Sequence, residues 1–161
     1  MNQPDAASQR PTLNAGRLWA GGVATALVAA LLAIVGILGA RGLFDVPILA
    51  PKGEGVWGDA STGWYALGAA ALSLAATGLI HVLLVSTPRP MRFFNWVVAL
   101  ATLVGVLAPF VTDASLASRV CTAVLNLVLG VAIGSLVAGT ARAAIRPPTA
   151  PVARTQPRSY P

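Results

Sequence analysis

Asn126, Thr102 and Ser73, with Thr77 one helical turn beyond Ser73, are the polar side chains that stand inside long apolar runs of this 161-residue chain. Counted by helical rise from the ends of their runs, Ser73, Thr102 and Asn126 fall near one depth. An amide surrounded by hydrocarbon must find hydrogen-bond partners, so three helices are expected to meet there in a polar layer. Two chemistries fit such a layer. One is polar glue in a packed bundle, which the lack of an accompanying ionisable group favours. The other is a small-solute pathway lined by Ser73, Thr77, Thr102 and Asn126.

His81 is the candidate titrating residue, the one ionisable side chain within the apolar thickness able to change charge near neutral pH. A neutral, hydrogen-bonded histidine is the reading adopted, with Asn95 as a candidate partner across the next helix. A proton relay is the alternative. No second histidine, carboxylate or thiol is spaced to make a metal site with it. Enzyme classes fail in the same way. The chain has no C-x-x-C, no H-E-x-x-H and no pair of carboxylates inside an apolar run. The single cysteine, Cys121, reads as a small apolar residue. No enzymatic activity, cofactor or metal is expected. Small multidrug transporters of similar size use a membrane-embedded glutamate, and Leu18 to Ala40 contains none.

Composition sets the frame that holds these residues. Hydrophobic residues make up 56% of the chain and charged residues 10%, where a soluble domain carries about 25% charge. Four runs of about 20 residues or more, 18–40, 64–87, 93–112 and 117–141, are free of charged residues except for Arg119 near the start of the last. Each is long enough to cross a hydrocarbon core of ~30 Å. The expected fold is therefore an all-α membrane protein, an up-down bundle of four transmembrane helices. A disordered arm, 1–17, and a disordered Pro/Arg-rich tail, 142–161, flank the 18–141 domain. A cleaved signal peptide is rejected because the first apolar run is too long and no A-x-A site precedes Arg41.

Small residues mark the faces expected to pack. In the last run Thr122, Asn126, Gly130, Gly134 and Ala138 recur every fourth position, with Gly130, Gly134 and Ala138 as helix-packing residues. Gly21, Thr25, Ala29 and Ala33 do the same in the first run, and Ala69, Ser73, Thr77 and His81 in the second. Stripes on the first, second and fourth helices are expected to close the bundle, with Gly130 and Gly134 at its tightest contact. The connection 41–63 holds Pro47, Pro51 and several glycines, and breaks any helix. Its apolar piece Val46–Ala50 lies on the outer interface or folds over the bundle, with a solvated linker touching lipid as the alternative. Asp59-Ala60-Ser61 and Asp113-Ala114-Ser115 supply cap oxygens before the second and fourth helices, an echo that two tandem hairpins would produce.

Charge orients the bundle. With the N-terminus inside, eight basic residues (Arg10, Arg17, Arg89, Arg92, Arg142, Arg146, Arg154 and Arg158) lie on the inner side. Arg41, Lys52 and Arg119 lie outside, with four of the five acids. This asymmetry places both termini in the cytoplasm and the domain in the plasma membrane. Trp19, Phe93, Phe94 and Trp96 would form the inner aromatic belt, and Phe44, Trp57, Trp64, Tyr65 and Phe110 the outer one. The net charge of +6 is thus a topology signal favouring anionic inner-leaflet lipid, not a nucleic-acid footprint. A second copy or another membrane protein is the remaining partner class.

Four stretches carry a family resemblance. They are Arg17-Leu18-Trp19-Ala20-Gly21-Gly22, the loop Val46-Pro47-Ile48-Leu49-Ala50-Pro51, His81 followed by Ser86-Thr87-Pro88-Arg89-Pro90, and Thr112-Asp113-Ala114-Ser115-Leu116-Ala117-Ser118. Together they resemble an actinobacterial family of small four-helix membrane proteins, the domain of unknown function 6069, over about Asn14 to Ala144. The resemblance implies the fold and the membrane location. It brings no catalytic signature, so no functional residue carries over. The function expected is that of a structural or accessory membrane protein, with a small-solute transporter or channel as the alternative.

Overall fold

A computed structural model describes residues 12–51, 57–59 and 61–146. Four helices dominate it: α1 (Ala15–Phe44), α2 (Thr62–Ser86), α3 (Pro90–Leu107) and α4 (Leu116–Ala144). Each of the four, α3 together with the turn that follows it, is long and apolar enough to cross a membrane. They form the up-down bundle of an all-α, multi-pass membrane protein.

The helices overrun the uncharged stretches where an arginine can be tolerated. α1 takes in Arg17 and Arg41, and α4 continues through Arg142 to Ala144. A guanidinium near a span end reaches water on its long stem. In a last turn, as with Arg41 and Arg142, it also meets the negative end of the helix dipole. α3 is instead shorter than expected, ending at Leu107 with a 3-10 turn over Ala108–Val111. Pro109 within that turn has no N–H to continue an α-helical ladder. Asn14, Ser61 and Ser115 cap α1, α2 and α4 by accepting from the backbone N–H three residues on. Asp45 ends α1 in the left-handed conformation at φ 52°, and Val46 N–H folds back onto the Ala40 carbonyl at 3.0 Å.

Packing is uneven around α4. α1 lies against α2 and α4, α3 leans chiefly on α4, and α2 with α3 is the slackest of the adjoining pairs. The small-residue face of α1 is buried at Thr25, Ala29 and Ala33. Gly21 lies under Thr140 of α4 and Gly22 under Thr77 of α2, where a Cβ would fall 2.5 Å from the Thr77 methyl. The half of the core near the termini is filled by Leu18, Ile80, Phe94, Val137 and Ala141, each fully buried. Phe94 is the only residue of α3 buried to that degree.

Both ends of the bundle are tied. At one end β1 (Thr12–Leu13) pairs antiparallel with β4 (Ile145–Arg146), and Asn14 N–H bonds the Ala144 carbonyl at 3.0 Å. Residues 12–17 and 142–146, expected as parts of the disordered arm and tail, are therefore ordered, because helix ends and a two-residue ladder use their backbone groups. Residues 1–11 and 147–161 lie outside the described residues. At the other end β2 (Leu49–Pro51) pairs with β3 (Trp57–Asp59) as a hairpin. Of the two readings of loop 41–63, the folded-over one matches: Ile48 is 1% and Leu49 7% exposed.

Two aromatic residues leave the belts assigned to them. Phe94 is a core residue and Tyr65 is half-buried. Trp19, Phe93, Trp96, Trp64 and Phe110 are exposed, as belt residues should be. The side chains of Phe44 and Trp57 lie outside the described set.

Candidate functional site

Every fourth position on an α-helix advances 400° at about 100° per residue, so the α4 stripe winds round its helix instead of facing one neighbour. Its members consequently meet different partners. The Thr122 hydroxyl accepts from Leu49 N–H at 3.0 Å and donates to the Ser118 carbonyl at 2.7 Å, fastening the hairpin to α4. Asn126 turns toward α2 and α3. Gly130 and Gly134 lie against α3, where a Cβ would fall 2.5 Å from the Thr102 methyl and 2.8 Å from Val98 Cγ1. Ala138 is buried in the core. The glycines make a close contact, but with the third helix, not with the first and second as their stripe implied.

Asn126 is the polar centre of this region. Its Oδ1 accepts from the Tyr65 hydroxyl of α2, and its Nδ2 donates to the Gly105 carbonyl of α3 at 2.7 Å. The Gly105 carbonyl can only accept, which fixes which end of the amide faces it. One N–H of Asn126 remains beyond these two bonds. Thr102 donates to its own helix at Val98, 2.8 Å away, leaving its oxygen free to accept.

Beside Asn126 a cavity of about 1010 Å³ opens between α2, α3 and α4. Tyr65, Thr102 and Asn126 supply polar groups to its wall, Ser61 lies near its upper rim, and Leu49 and Ala50 of the hairpin end contribute to its lining. The rest is mainly Ala, Gly and Leu, and none of the described lining residues is charged. Gly68, Leu72 and Ala101 line it and are also exposed, well inside their helices, so the mouth opens on the flank that faces lipid. A smaller hollow of about 450 Å³ lies along α3 and α4 and shares Val98, Thr102, Gly130 and Gly134's neighbourhood with that contact.

The expected polar layer is thus divided. Thr102 and Asn126 come together on the cavity wall. Ser73 and Thr77 do not join them, for both are fully buried away from that lining, Thr77 beside Gly22 of α1. The reason lies in hydroxyl chemistry: Thr25, Thr77, Thr102 and Thr122 each bond the carbonyl four residues back. A hydroxyl so satisfied needs no other helix. An amide does, and Asn126 bonds to both α2 and α3. Ser73 Oγ has no hydrogen-bond partner among the described residues.

His81 lies apart from the cavity. Its ring sits beside Trp19, with centroids 6.3 Å apart and planes tilted by 48°. Its buried Nδ1 has no hydrogen-bond partner among the described residues. Asn95 is exposed and lines the smaller hollow, and no hydrogen bond joins it to His81. Cys121 is free and partly buried. Tyr65 is the site residue that the sequence reading missed. The available signal was a phenol within an apolar run, whose hydroxyl needs a partner when buried.

The chain belongs to the family of unknown function DUF6069, whose model matches residues 13–143 and so takes in all four helices. No curated protein and no solved structure matches it.

Proposed function

We propose that this member of the family is a non-enzymatic structural or accessory protein of the bacterial plasma membrane, with both termini in the cytoplasm. One observation carries the reading: none of the described residues lining the cavity is charged, and toward the termini Leu18, Ile80, Phe94 and Val137 form a fully buried apolar core. The polar groups within the spans are also spent largely on their own helices or on one another, which suits a stable scaffold better than a relay.

Orientation rests on the eight-to-three distribution of basic residues. In this arrangement Arg17, Arg89, Arg92 and Arg142 lie at the cytoplasmic face, where anionic lipid is the natural partner. Nucleic acid is not a partner in this reading; a second copy or another membrane protein is. Reporter fusions test the topology: both termini should report cytoplasmic, and an extracytoplasmic signal from the C-terminal fusion overturns it.

The second reading, a small-solute transporter or channel, draws on Thr102 and Asn126 in the cavity wall. Flux of small neutral solutes into proteoliposomes should not exceed that of empty vesicles. Flux above that level which disappears with Asn126→Leu would establish the second reading instead.

A further inference from the structure

The wall of the α2–α3–α4 cavity restricts what can occupy it. At about 1010 Å³ this side-opening hollow has the size of a ligand site. Gly68, Leu72 and Ala101 at its mouth are exposed in the middle of their spans, so an occupant enters sideways from the bilayer. No described lining residue is charged, and a phosphate or ammonium at this depth would lack a counter-charge. The occupant is therefore uncharged where it meets the wall and apolar elsewhere.

Hydrogen-bond inventory narrows the polar end further. Asn126 keeps one N–H after serving the Gly105 carbonyl, and Thr102 and Tyr65 have each given their single proton, to Val98 and Asn126. Apart from the Ser61 hydroxyl at the rim, the wall beside Asn126 thus offers one spare donor next to hydroxyl oxygens that can only accept. A ketone or ester carbonyl would use the donor alone. An alcohol uses both, accepting from Asn126 and donating to Thr102 or Tyr65.

We propose that this cavity binds a neutral membrane lipid alcohol, its hydroxyl held at Asn126 and its chain in the Ala, Gly and Leu hollow. The inference rests on the non-transport reading above and names the ligand class of that site. Diacylglycerol, an uncharged lipid with one free hydroxyl, is the probe. Trp64 lines the cavity and serves as the reporter once Trp19, Trp57 and Trp96 are replaced by Phe in the full chain. In phosphatidylcholine bilayers, diacylglycerol with brominated acyl chains should quench Trp64 with an apparent affinity about three- to tenfold above that of brominated phosphatidylcholine, the margin of one or two net hydrogen bonds.

Asn126→Leu should abolish that preference. Thr102→Val, which keeps side-chain shape and removes an acceptor, should reduce it and stands in if the first variant does not fold. Equal quenching by the two lipids, a preference for phosphatidylcholine, or a preference that survives both substitutions overturns the proposal. The flux assay separates this outcome from the reading beneath it. Equal quenching without flux removes the lipid site and leaves the accessory role, whereas selective quenching with solute flux keeps the site and removes that role.

Discussion

The α1 and α3 sides of the bundle are joined in different ways. On the α1 side, helices meet by shape: glycines and alanines lie under threonines and leucines, as with Gly22 under Thr77 and Gly36 against Leu125. The threonine hydroxyls there, Thr25 and Thr77, are satisfied within their own helices. On the α3 side, contact narrows to a seam of Val98 on Gly134, Thr102 on Gly130 and Asn126 beside Gly105. The space beyond the seam is crossed by the Tyr65–Asn126–Gly105 bridge. Backbone approach and back-bonded hydroxyls make a closed interface. A single amide that finds its partners on two other helices marks the open one.

Substitutions that add bulk or remove a bond should rank in that order. Gly22→Leu is expected to cost most, about 3 kcal/mol or more, because Thr77 is fully buried and has nowhere to move. Thermal unfolding in detergent measures it, and a loss no larger than that at Gly134 would erase the contrast between the two sides. Thr122→Val should cost about 1–3 kcal/mol by stranding the Leu49 N–H. Hydrogen exchange at residues 48–50 should rise while exchange in α1 stays unchanged. Gly134→Leu should cost only about 1 kcal/mol, since Val98 and the loosely held α3 can shift. Tyr65→Phe should be smallest, about 0.6 kcal/mol, the average for an interhelical bond in a membrane protein. A larger Tyr65→Phe loss than Gly22→Leu would mean that the polar bridge, not the α1 interface, holds the bundle.

The same contrast explains what could be read from the sequence. Four spans, their up-down order and the serine caps follow from hydropathy, length and local chemistry, and all are present. Charge marks the helix ends at Arg17 and Arg142 too early, because an arginine at the membrane edge can remain helical. The division of the polar layer was hidden because depth along a helix says nothing about azimuth. Ser73 and Thr102 share a level yet face different neighbours. Tyr65 was hidden because depth counted at the backbone ignores how far a phenol carries its hydroxyl. The loop hairpin was hidden because its anchor, Leu49 N–H to Thr122 Oγ1, joins residues 73 positions apart.

The central claim is that the space beside Asn126 belongs to the lipid phase, not to a water path. A nitroxide at Ala101→Cys, in a Cys121→Ala background, places a probe on the cavity lining. Its collision rates with oxygen and with a water-soluble nickel chelate measure the two phases directly. The account predicts frequent collisions with oxygen and few with the chelate, as at a lipid-facing control on Leu103. Chelate access as high as at Ser86, exposed at the end of α2, would contradict it, and would make the cavity the vestibule of a solute pathway.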